Sequence, residues 1–269
     1  FKDNRYKLNI IKSDIKDYNF ALKICSGIDY VIHLAAESGV DISVNKPKKS
    51  FDTNIVGTFN YLESSRINNV KNFIFSSSGS VFGKAKPPMK ESYSKEPISP
   101  YGSSKLSIES FCSSYSSVYK MNTTILRFSN AYGNYSRHKN SVIPKFIKNI
   151  ICNKPLVIFG DGRQTRDYIH VDDIVSAILK SFNNKKSCEV YHIGTGIETS
   201  INKIVKIMHS IFAAYNYKIH NTIYEDTRIG DMKNNSLYIK NTNKKLNWKA
   251  KISLEEGIKK TILWYLNSK

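Results

Sequence analysis

The sequence is poor in cysteine and acidic residues and has no long apolar run, and each scarcity excludes a class of protein. Cys25, Cys112, Cys152 and Cys188 are too widely spaced for a C-x-x-C redox pair or a zinc-ligand pattern, so we expect buried, reduced thiols and no metal. No run approaches the length of a membrane span, and the N-terminus lacks the pattern of a secretory signal. These absences predict a cytoplasmic protein without a membrane partner.

The shortage of acidic residues leaves a strongly basic chain. Its 269 residues include 41 Lys and Arg against 22 Asp and Glu, which gives a formal net charge of +19. Such a charge is compatible with binding to nucleic acid. The lysines are scattered along the chain, however, and the longest local cluster is Lys46-Pro-Lys-Lys49. The distribution therefore disfavours a nucleic-acid partner.

Short apolar runs of strand length alternate with longer amphipathic segments, a pattern typical of βαβ units and a parallel sheet. The strand candidates are residues 7–11, 29–34, 72–75, 123–128, 156–159 and 190–193. The main helical candidates are residues 51–68, 171–182, 201–214 and 254–266. The pattern predicts an α/β fold with a doubly wound parallel sheet over residues 1–133 and a smaller domain over residues 134–269, in which residues 170–194 return to the sheet.

Tyr101 and Lys105 are the pair with the clearest chemistry. Pro100 suits the first position of a helix, which would place the two side chains one turn apart on the same face. A lysine ammonium beside a phenol favours the phenolate, so we expect the pKa of Tyr101 to fall from about 10 towards neutrality and the residue to act as a general base. The same spacing occurs at two other places in the chain, so the interpretation depends on the neighbouring residues.

A buried strand candidate that ends in three serines, residues 76–78, precedes this pair. Groups at the carboxyl ends of parallel strands face the ligand crevice. Ser78 is therefore expected to hydrogen-bond the same substrate oxygen that Tyr101 deprotonates. In the alternative interpretation, the serines only cap a turn and Tyr101 is a structural aromatic residue at the start of a helix.

Together these residues resemble the extended short-chain dehydrogenase/reductases, specifically the NAD-dependent epimerase/dehydratase family of nucleotide-sugar enzymes. The longest single match is Gly160-Asp-Gly-Arg-Gln-Thr-Arg-Asp-Tyr-Ile-His-Val-Asp-Asp173. The resemblance implies a Rossmann-like sheet, NAD as the cofactor, a UDP-sugar substrate and the catalytic set Ser78, Tyr101 and Lys105. It also implies a homodimer formed by the helices over residues 51–68 and 100–119.

The resemblance further assigns binding residues. For the cofactor it implies Asp14, Ile15, Leu34, Ala35, Ala36, Asn54, Ser76, Tyr101 and Lys105. For the substrate it implies Ser78, Asn130, Val142, Val157, Phe159, Arg166, Arg228, Asp231 and Asn235. The two arginines are expected to clamp the diphosphate, because a planar guanidinium makes paired, charge-assisted bonds to phosphate oxygens.

The two positions after Ser78 decide which reaction the resemblance implies. Dehydratases of the family carry Asp and Glu there and related decarboxylases carry Glu at the second position, whereas this chain has Gly79 and Ser80, neither of which shuttles a proton. The expected reaction is therefore 4-epimerisation of a UDP-hexose through a 4-keto intermediate. Asn235 leaves the substrate open between the glucose/galactose pair and the N-acetyl pair. The alternatives are a dehydratase or decarboxylase, or a non-catalytic relative that binds a nucleotide or RNA.

The Gly-x-x-Gly-x-x-Gly loop with which such family members begin is absent from this sequence, which starts at Phe1. We therefore expect an N-terminally truncated sheet that lacks its first strand or strands. Either the natural protein is longer and binds NAD normally, or the gene is truncated and its product cannot hold NAD. The intact catalytic motifs favour the longer protein.

Overall fold

The computed structural model describes residues 8–182, 187–218, 221–227 and 233–268. The strands are β1 Tyr30–His33, β2 Asn72–Ser78, β3 Thr123–Phe128, β4 Asn130–Tyr132, β5 Leu156–Phe159, β6 Thr165–His170, β7 Cys188–Ile193, β8 Glu198–Ser200, β9 Thr222–Glu225 and β10 Asn234–Asn235. The α-helices are α1 Tyr18–Ile24, α2 Val40–Asn45, α3 Pro47–Phe51, α4 Thr58–Ile67, α5 Pro100–Tyr119, α6 Val142–Ile151, α7 Val171–Ser181, α8 Ile201–Ala213, α9 Lys240–Leu246 and α10 Leu254–Asn267. A π-helical turn, Asp52–Gly57, leads into α4, and a 3-10 turn, Gly79–Phe82, follows β2.

The main sheet consists of four parallel strands in the order β1-β2-β3-β7. Ser78 is in register with Phe128, and Phe128 with Ile193, so the carboxyl ends of three strands lie along one edge. Strand β2 is buried along almost its whole length, as expected for a parallel strand covered on both faces. The chain therefore has the Rossmann-like α/β fold that its sequence predicts.

Alternate residues of β2 pack on opposite faces of this sheet. Phe73 and Phe75 contribute to a cluster with Ile108 of α5, whereas Ile74 packs in a second cluster with Ile178 of α7. Helices on both faces make the sheet doubly wound. The carboxyl-end edge is thereby left as the place where polar side chains meet a ligand.

Two smaller sheets lie outside the main one. The first has the order β10-β6-β4, with β8 antiparallel to β6, and the second pairs β5 with β9. Helices α6, α8 and α10 enclose the largest apolar cluster, which includes Phe146, Met208 and Ile262. Strand β7 comes from the second half of the chain and pairs with β3 of the main sheet. The proposed domain boundaries stay a prediction.

The expected strand at residues 7–11 does not form in its described part. Leu8, Ile10 and Ile11 are 59%, 86% and 58% exposed and belong to no strand. A strand requires a neighbour to satisfy its backbone groups, and β1 is the edge strand of the described sheet. The prediction of a strand from the apolar residues of this segment is therefore wrong for residues 8–11.

The cysteines differ from expectation at two positions. All four are free, and Cys25 and Cys112 are buried, but Cys188 is half-buried and Cys152 is exposed. Cys152 directly follows the last residue of α6. The prediction of buried thiols is therefore wrong for Cys152 and only partly met at Cys188. Within the described ranges, no helix combines the length and apolar character needed to cross a bilayer.

Candidate functional site

The first turn of α5 is held against the turn that follows β2. Ser99 caps the helix by accepting a hydrogen bond from the backbone N–H of Gly102 at 3.1 Å, and Pro100 occupies the first turn. A Cβ atom at Gly102 would lie 2.7 Å from the backbone oxygen of Ser80. Only glycine permits this approach, which brings the start of α5, and with it Tyr101, to the end of β2.

Lys105 is a buried cation that connects α5 to β2. The residue is 3% exposed, and its Nζ donates a hydrogen bond to the backbone oxygen of Ser76 at 2.7 Å. The same atom lies 4.9 Å from the ring centre of Phe75 and 5.8 Å from that of Tyr101. Burial lowers the pKa of Lys105 to about 8, and the charge of Glu109 opposes this effect.

Tyr101 and Ser78 are brought together, but the expected pKa of the tyrosine is wrong for this structure. Burial raises the pKa of Tyr101 above its ordinary value, and a side-chain hydrogen bond with Ser78 only partly offsets the effect. The desolvation of the phenolate outweighs the stabilisation that the lysine was expected to provide. The predicted base, its hydroxyl partner and the lysine nevertheless form one cluster at the end of β2.

Asn54 joins the predicted cofactor loop to this cluster. It is buried in the π-helical turn, accepts a hydrogen bond from the backbone N–H of Glu37 at 2.7 Å, and donates to the backbone oxygen of Glu37 at 3.0 Å. Its Nδ2 also donates to Ser104 Oγ at 3.2 Å, beside Lys105. Residues 34–36, which follow β1, lie just before Glu37 and are exposed or half-buried. The π-helical turn, a form common at functional sites, therefore links this loop to α5.

Asp14 and Ile15 lie against the start of α4. Asn60 Nδ2 donates to the backbone oxygens of Ile15 at 3.3 Å and Lys16 at 2.9 Å. A Cβ atom at Gly57 would lie 2.6 Å from Cγ1 of Ile15, so the glycine permits close packing. The exposed carboxylate of Asp14 accepts a hydrogen bond from the backbone N–H of Lys16, which lowers the pKa of Asp14. The segment is thus anchored, with the carboxylate in solvent.

Among the predicted substrate residues, Asn235 lies between the 3-10 turn that follows β2 and the predicted phosphate clamp. It is buried, and in the pairing of β10 with β6 it lies opposite Arg166. A Cβ atom at Gly79 would lie 3.7 Å from Oδ1 of Asn235 and 3.2 Å from Cδ2 of Leu237. The half-buried Arg166 donates from Nη1 to the backbone oxygen of Thr165 at 2.7 Å. Asn235 therefore connects Gly79 with the strand of Arg166.

The remaining described substrate residues lie on three other elements. Asn130 is exposed on β4, and Val142 is half-buried at the start of α6. Val157 and Phe159 are half-buried and two residues apart, so they share one face of β5. Gln164 Nε2 donates to the backbone oxygen of Phe159 at 2.6 Å, which ties β5 to the segment before β6.

Two predicted substrate residues, Arg228 and Asp231, lie outside the described residues. The structure therefore describes one of the two predicted clamp arginines, Arg166. In the part of the chain that the structure describes, no group of three His, Cys, Asp or Glu side chains is arranged to hold a metal ion.

Sequence analysis missed a buried ionic network directly behind the cluster. Glu109 accepts hydrogen bonds from Arg127 Nε at 2.9 Å and Nη2 at 2.6 Å, and from Ser77 Oγ at 2.5 Å. Glu109 follows Lys105 by four residues, so the spacing already placed the two on one helix face. The buried pairing of Glu109 with Arg127 of β3, however, cannot be predicted from any local sequence pattern.

A second buried carboxylate, Asp167, fixes β6, the strand that carries the predicted clamp residue Arg166. It accepts hydrogen bonds from Ser129 Oγ at 2.9 Å, the backbone N–H and Oγ1 of Thr195 at 3.0 and 2.5 Å, and the backbone N–H of Gly196 at 3.0 Å. These donors come from the segments that follow β3 and β7. Asp167 therefore ties β6, which carries Arg166, to the carboxyl-end edge of the main sheet.

Comparison with known proteins extends the similarity over almost the whole chain. The family model described as GDP-mannose 4,6 dehydratase matches residues 2–261. A putative UDP-glucose 4-epimerase of Methanocaldococcus jannaschii is 37% identical over 269 residues, which cover 97% of this chain and 85% of that protein. Both epimerases and dehydratases occur among the similar solved structures.

The structure of UDP-glucose 4-epimerase from Thermotoga maritima with UDP-glucose has a TM-score of 0.90 and 34% identity, covering 96% of this chain and 84% of that one. The structure of DesIV, a dTDP-glucose 4,6-dehydratase from Streptomyces venezuelae with NAD and TYD bound, has a TM-score of 0.90 and 27% identity. It covers 99% of this chain and 81% of that one. The fold alone therefore does not separate the two reactions.

Proposed function

The chain belongs to the NAD-dependent epimerase/dehydratase family, and from this premise we propose that it catalyses the 4-epimerisation of a UDP-hexose with NAD as its cofactor. The observation that carries the proposal is the turn after β2. Ser78 meets Tyr101 there, while the following positions, Gly79 and Ser80, supply no acid or base.

The chain's own residues account for proton movement at the sugar. Tyr101 takes the proton of the 4-hydroxyl, and Ser78 donates a hydrogen bond to the same oxygen. Protonated Lys105 is the nearby positive charge that would partly offset the desolvation of the Tyr101 phenolate, since an opposite charge favours the ionised form. Held beside Lys105, NAD would supply reversible hydride acceptance at C4, through which the 4-keto sugar could be reduced on its opposite face. Arg166 holds the diphosphate while the hexose turns.

The donor set around Lys105 fits the nicotinamide ribose of NAD. An ammonium group carries three donors, and the backbone oxygen of Ser76 takes one of them. We assign the others to ribose hydroxyls. Asn54 is bonded to Ser104, the neighbour of Lys105, and to Glu37, which follows residues 34–36 in the chain. Asn54 and residues 34–36 would line the cofactor.

The surroundings of Gly79 support epimerisation over dehydration. A Cβ atom there would already lie 3.2 Å from Leu237, which is tighter than ordinary contact, so a carboxylate side chain at this position requires the neighbours to move. The hydroxyl of Ser80 is buried. Because positions 79 and 80 carry no acid or base to drive the elimination of water, the 4-keto sugar is expected to rotate and be reduced on its opposite face.

A product assay tests this function. The protein is incubated with NAD and either UDP-galactose or UDP-N-acetylgalactosamine, and the sugar nucleotides are separated by chromatography. We expect one or both 4-epimers, and a loss of about 100-fold or more in kcat for Tyr101→Phe. Tyr135→Phe is the matched control, because Tyr135 is 78% exposed and begins another Tyr-x-x-x-Lys sequence. A 4-keto-6-deoxy product, or no conversion of either substrate, would contradict the proposal.

We also propose that the enzyme is a homodimer built on α4 and α5. Phe111 and Val118 of α5 are 38% and 67% exposed and lie seven residues apart, so they share a helix face. Ile67 at the end of α4 and Tyr119 are 42% and 52% exposed. Val118→Glu should convert the dimer to a monomer in sedimentation velocity at micromolar concentration. A wild-type monomer under these conditions would argue against this assembly.

A further inference from the structure

The ionic network behind the catalytic cluster joins the elements that carry it. The side chains of Arg127 and Glu109 are 4% and 6% exposed, and their bidentate pair connects β3 to α5. Ser77 adds β2 to the network through its bond to Glu109. The guanidinium of Arg127 lies 4.9 Å from the ring centre of Phe82, at the end of the 3-10 turn that begins with Gly79. Its Nη1 also lies 3.3 Å from His192 Nε2 of β7.

Resting on the function proposed above, we propose that Glu109 is a positioning residue: through its bonds to Ser77 and Arg127 it fixes α5 against the end of β2. Two adjacent residues of β2 are tied to α5, because the backbone oxygen of Ser76 holds Lys105 and the hydroxyl of Ser77 holds Glu109. Two hydrogen bonds at adjacent strand positions resist rotation and sliding of the helix relative to the strand. The spacing of Ser78, Tyr101 and Lys105 is fixed as a result.

Burying the ion pair of Glu109 and Arg127 carries a desolvation penalty, which points to a role beyond packing. Apolar residues of similar volume often stabilise a protein as well as a buried ion pair does. Glu109, however, also supplies a negative charge close to Lys105, where burial opposes the protonated form. The titratable or charged groups that face Lys105, Glu109 or Arg127 are His33, Tyr101, Cys112, Cys188 and His192.

The two histidines of this set do not supply competing positive charge. Burial, together with the nearby charge of Lys105 for His33 and of Arg127 for His192, lowers the pKa of both histidines to about 3. Both rings are therefore neutral at physiological pH. Glu109 is left as the anion that favours protonated Lys105, and its removal should lower the pKa of that lysine.

The test measures the lysine directly. Lysines labelled with ¹³C at Cε are titrated by NMR in the full protein, and the Lys105 signal is assigned by its loss in Lys105→Met. We expect Glu109→Gln to move the Lys105 midpoint to lower pH and to reduce kcat about tenfold or more, with KM for the UDP-hexose little changed. Glu109→Asp, which keeps the charge, should restore the midpoint towards its wild-type value.

Glu189→Gln is the matched control. Glu189 is a largely buried carboxylate on β7, paired with Lys245 at 2.7 Å, and it lies opposite Thr124 at the far end of β3 from the site. This variant should leave both the Lys105 midpoint and kcat unchanged. If Glu189→Gln and Glu109→Gln change the Lys105 midpoint and kcat equally, the network contributes only to general stability and the proposal is overturned.

Ser77→Ala keeps the proposal falsifiable if Glu109→Gln fails to fold. It leaves the Glu109 and Arg127 pair intact and removes only the tie to β2. We expect a reduced kcat with the Lys105 midpoint unchanged, and a wild-type kcat would overturn the positioning role. The NMR midpoint does not depend on turnover, so a protein that epimerises no UDP-hexose still reports whether Glu109 acts on Lys105. A Lys105 midpoint unmoved by Glu109→Gln refutes the proposal.

Discussion

Replacing Lys105 with methionine should change how the stability of the protein depends on pH. In the folded state burial lowers the pKa of Lys105 from an ordinary value of 10.5 to about 8. Between these two values the unfolded chain binds about one more proton than the folded chain, so the free energy of unfolding rises with pH in this range. Methionine fills a similar volume and does not titrate. The Lys105→Met protein should therefore lack this rise.

The pKa difference sets the size of the effect. Because the pKa of Lys105 is lowered to about 8, the buried ammonium destabilises the folded protein below that pH. This destabilisation decreases as the pH rises and the lysine loses its proton. Between pH 7 and pH 10 the wild type should gain about 2.5 kcal/mol of unfolding free energy relative to Lys105→Met. Loss of the hydrogen bond to the backbone oxygen of Ser76 changes the difference in unfolding free energy between the two proteins by about 1–3 kcal/mol at every pH. It does not change how steeply the unfolding free energy depends on pH.

Urea unfolding at pH 7, 8, 9 and 10 measures this difference for both proteins. Tyrosines and lysines distant from Lys105 titrate in the same range, but they contribute equally to wild type and variant and cancel in the comparison. Lys180→Met, on the exposed surface of α7, controls for the substitution itself and should follow the wild-type slope. Parallel pH dependences for wild type and Lys105→Met would show that Lys105 is not held as a desolvated cation, and the reasoning would fail.

Two further predictions concern packing and the cofactor loop. Gly257→Ala should lower the unfolding free energy by about 1–3 kcal/mol in denaturant titrations, because the new Cβ would lie 2.1 Å from the hydroxyl of Tyr132; an unchanged midpoint would contradict this contact. Asn54→Ala removes the side chain that pairs with Glu37 and Ser104, so NAD affinity measured by calorimetry should fall about tenfold, and unchanged affinity would separate this loop from the cofactor.

Buried strands were the part of the fold most accurately predicted. Residues 123–128 and 156–159 form β3 and β5 with the expected bounds, because short segments rich in apolar and β-branched residues favour strands. Residues 7–11, Lys-Leu-Asn-Ile-Ile, were also predicted to form a strand, but their described part forms none. The expected helix at 51–68 begins instead with a π-helical turn, where Asn54 reaches across to Glu37.

Local spacing was informative for the site only where one element carries both residues. Tyr101 and Lys105 lie one turn apart on α5, so the sequence placed them together, and Ser78 followed from its position at the end of a strand. The pKa of Tyr101 was mispredicted because burial depends on the whole fold. Arg127 contacts Glu109 across 18 residues of sequence and two elements, and a pairing of this kind is visible only in three dimensions.

The most direct test of 4-epimerisation follows the hydrogen at C4. UDP-galactose carrying deuterium at C4 is incubated with the protein and NAD, and the products are examined by ¹H NMR. Removal and return of the hydride at the same carbon predicts UDP-glucose with deuterium retained at C4. Deuterium at another carbon or release of the label to solvent would contradict the account, as would unchanged UDP-galactose together with unchanged UDP-N-acetylgalactosamine in a parallel incubation.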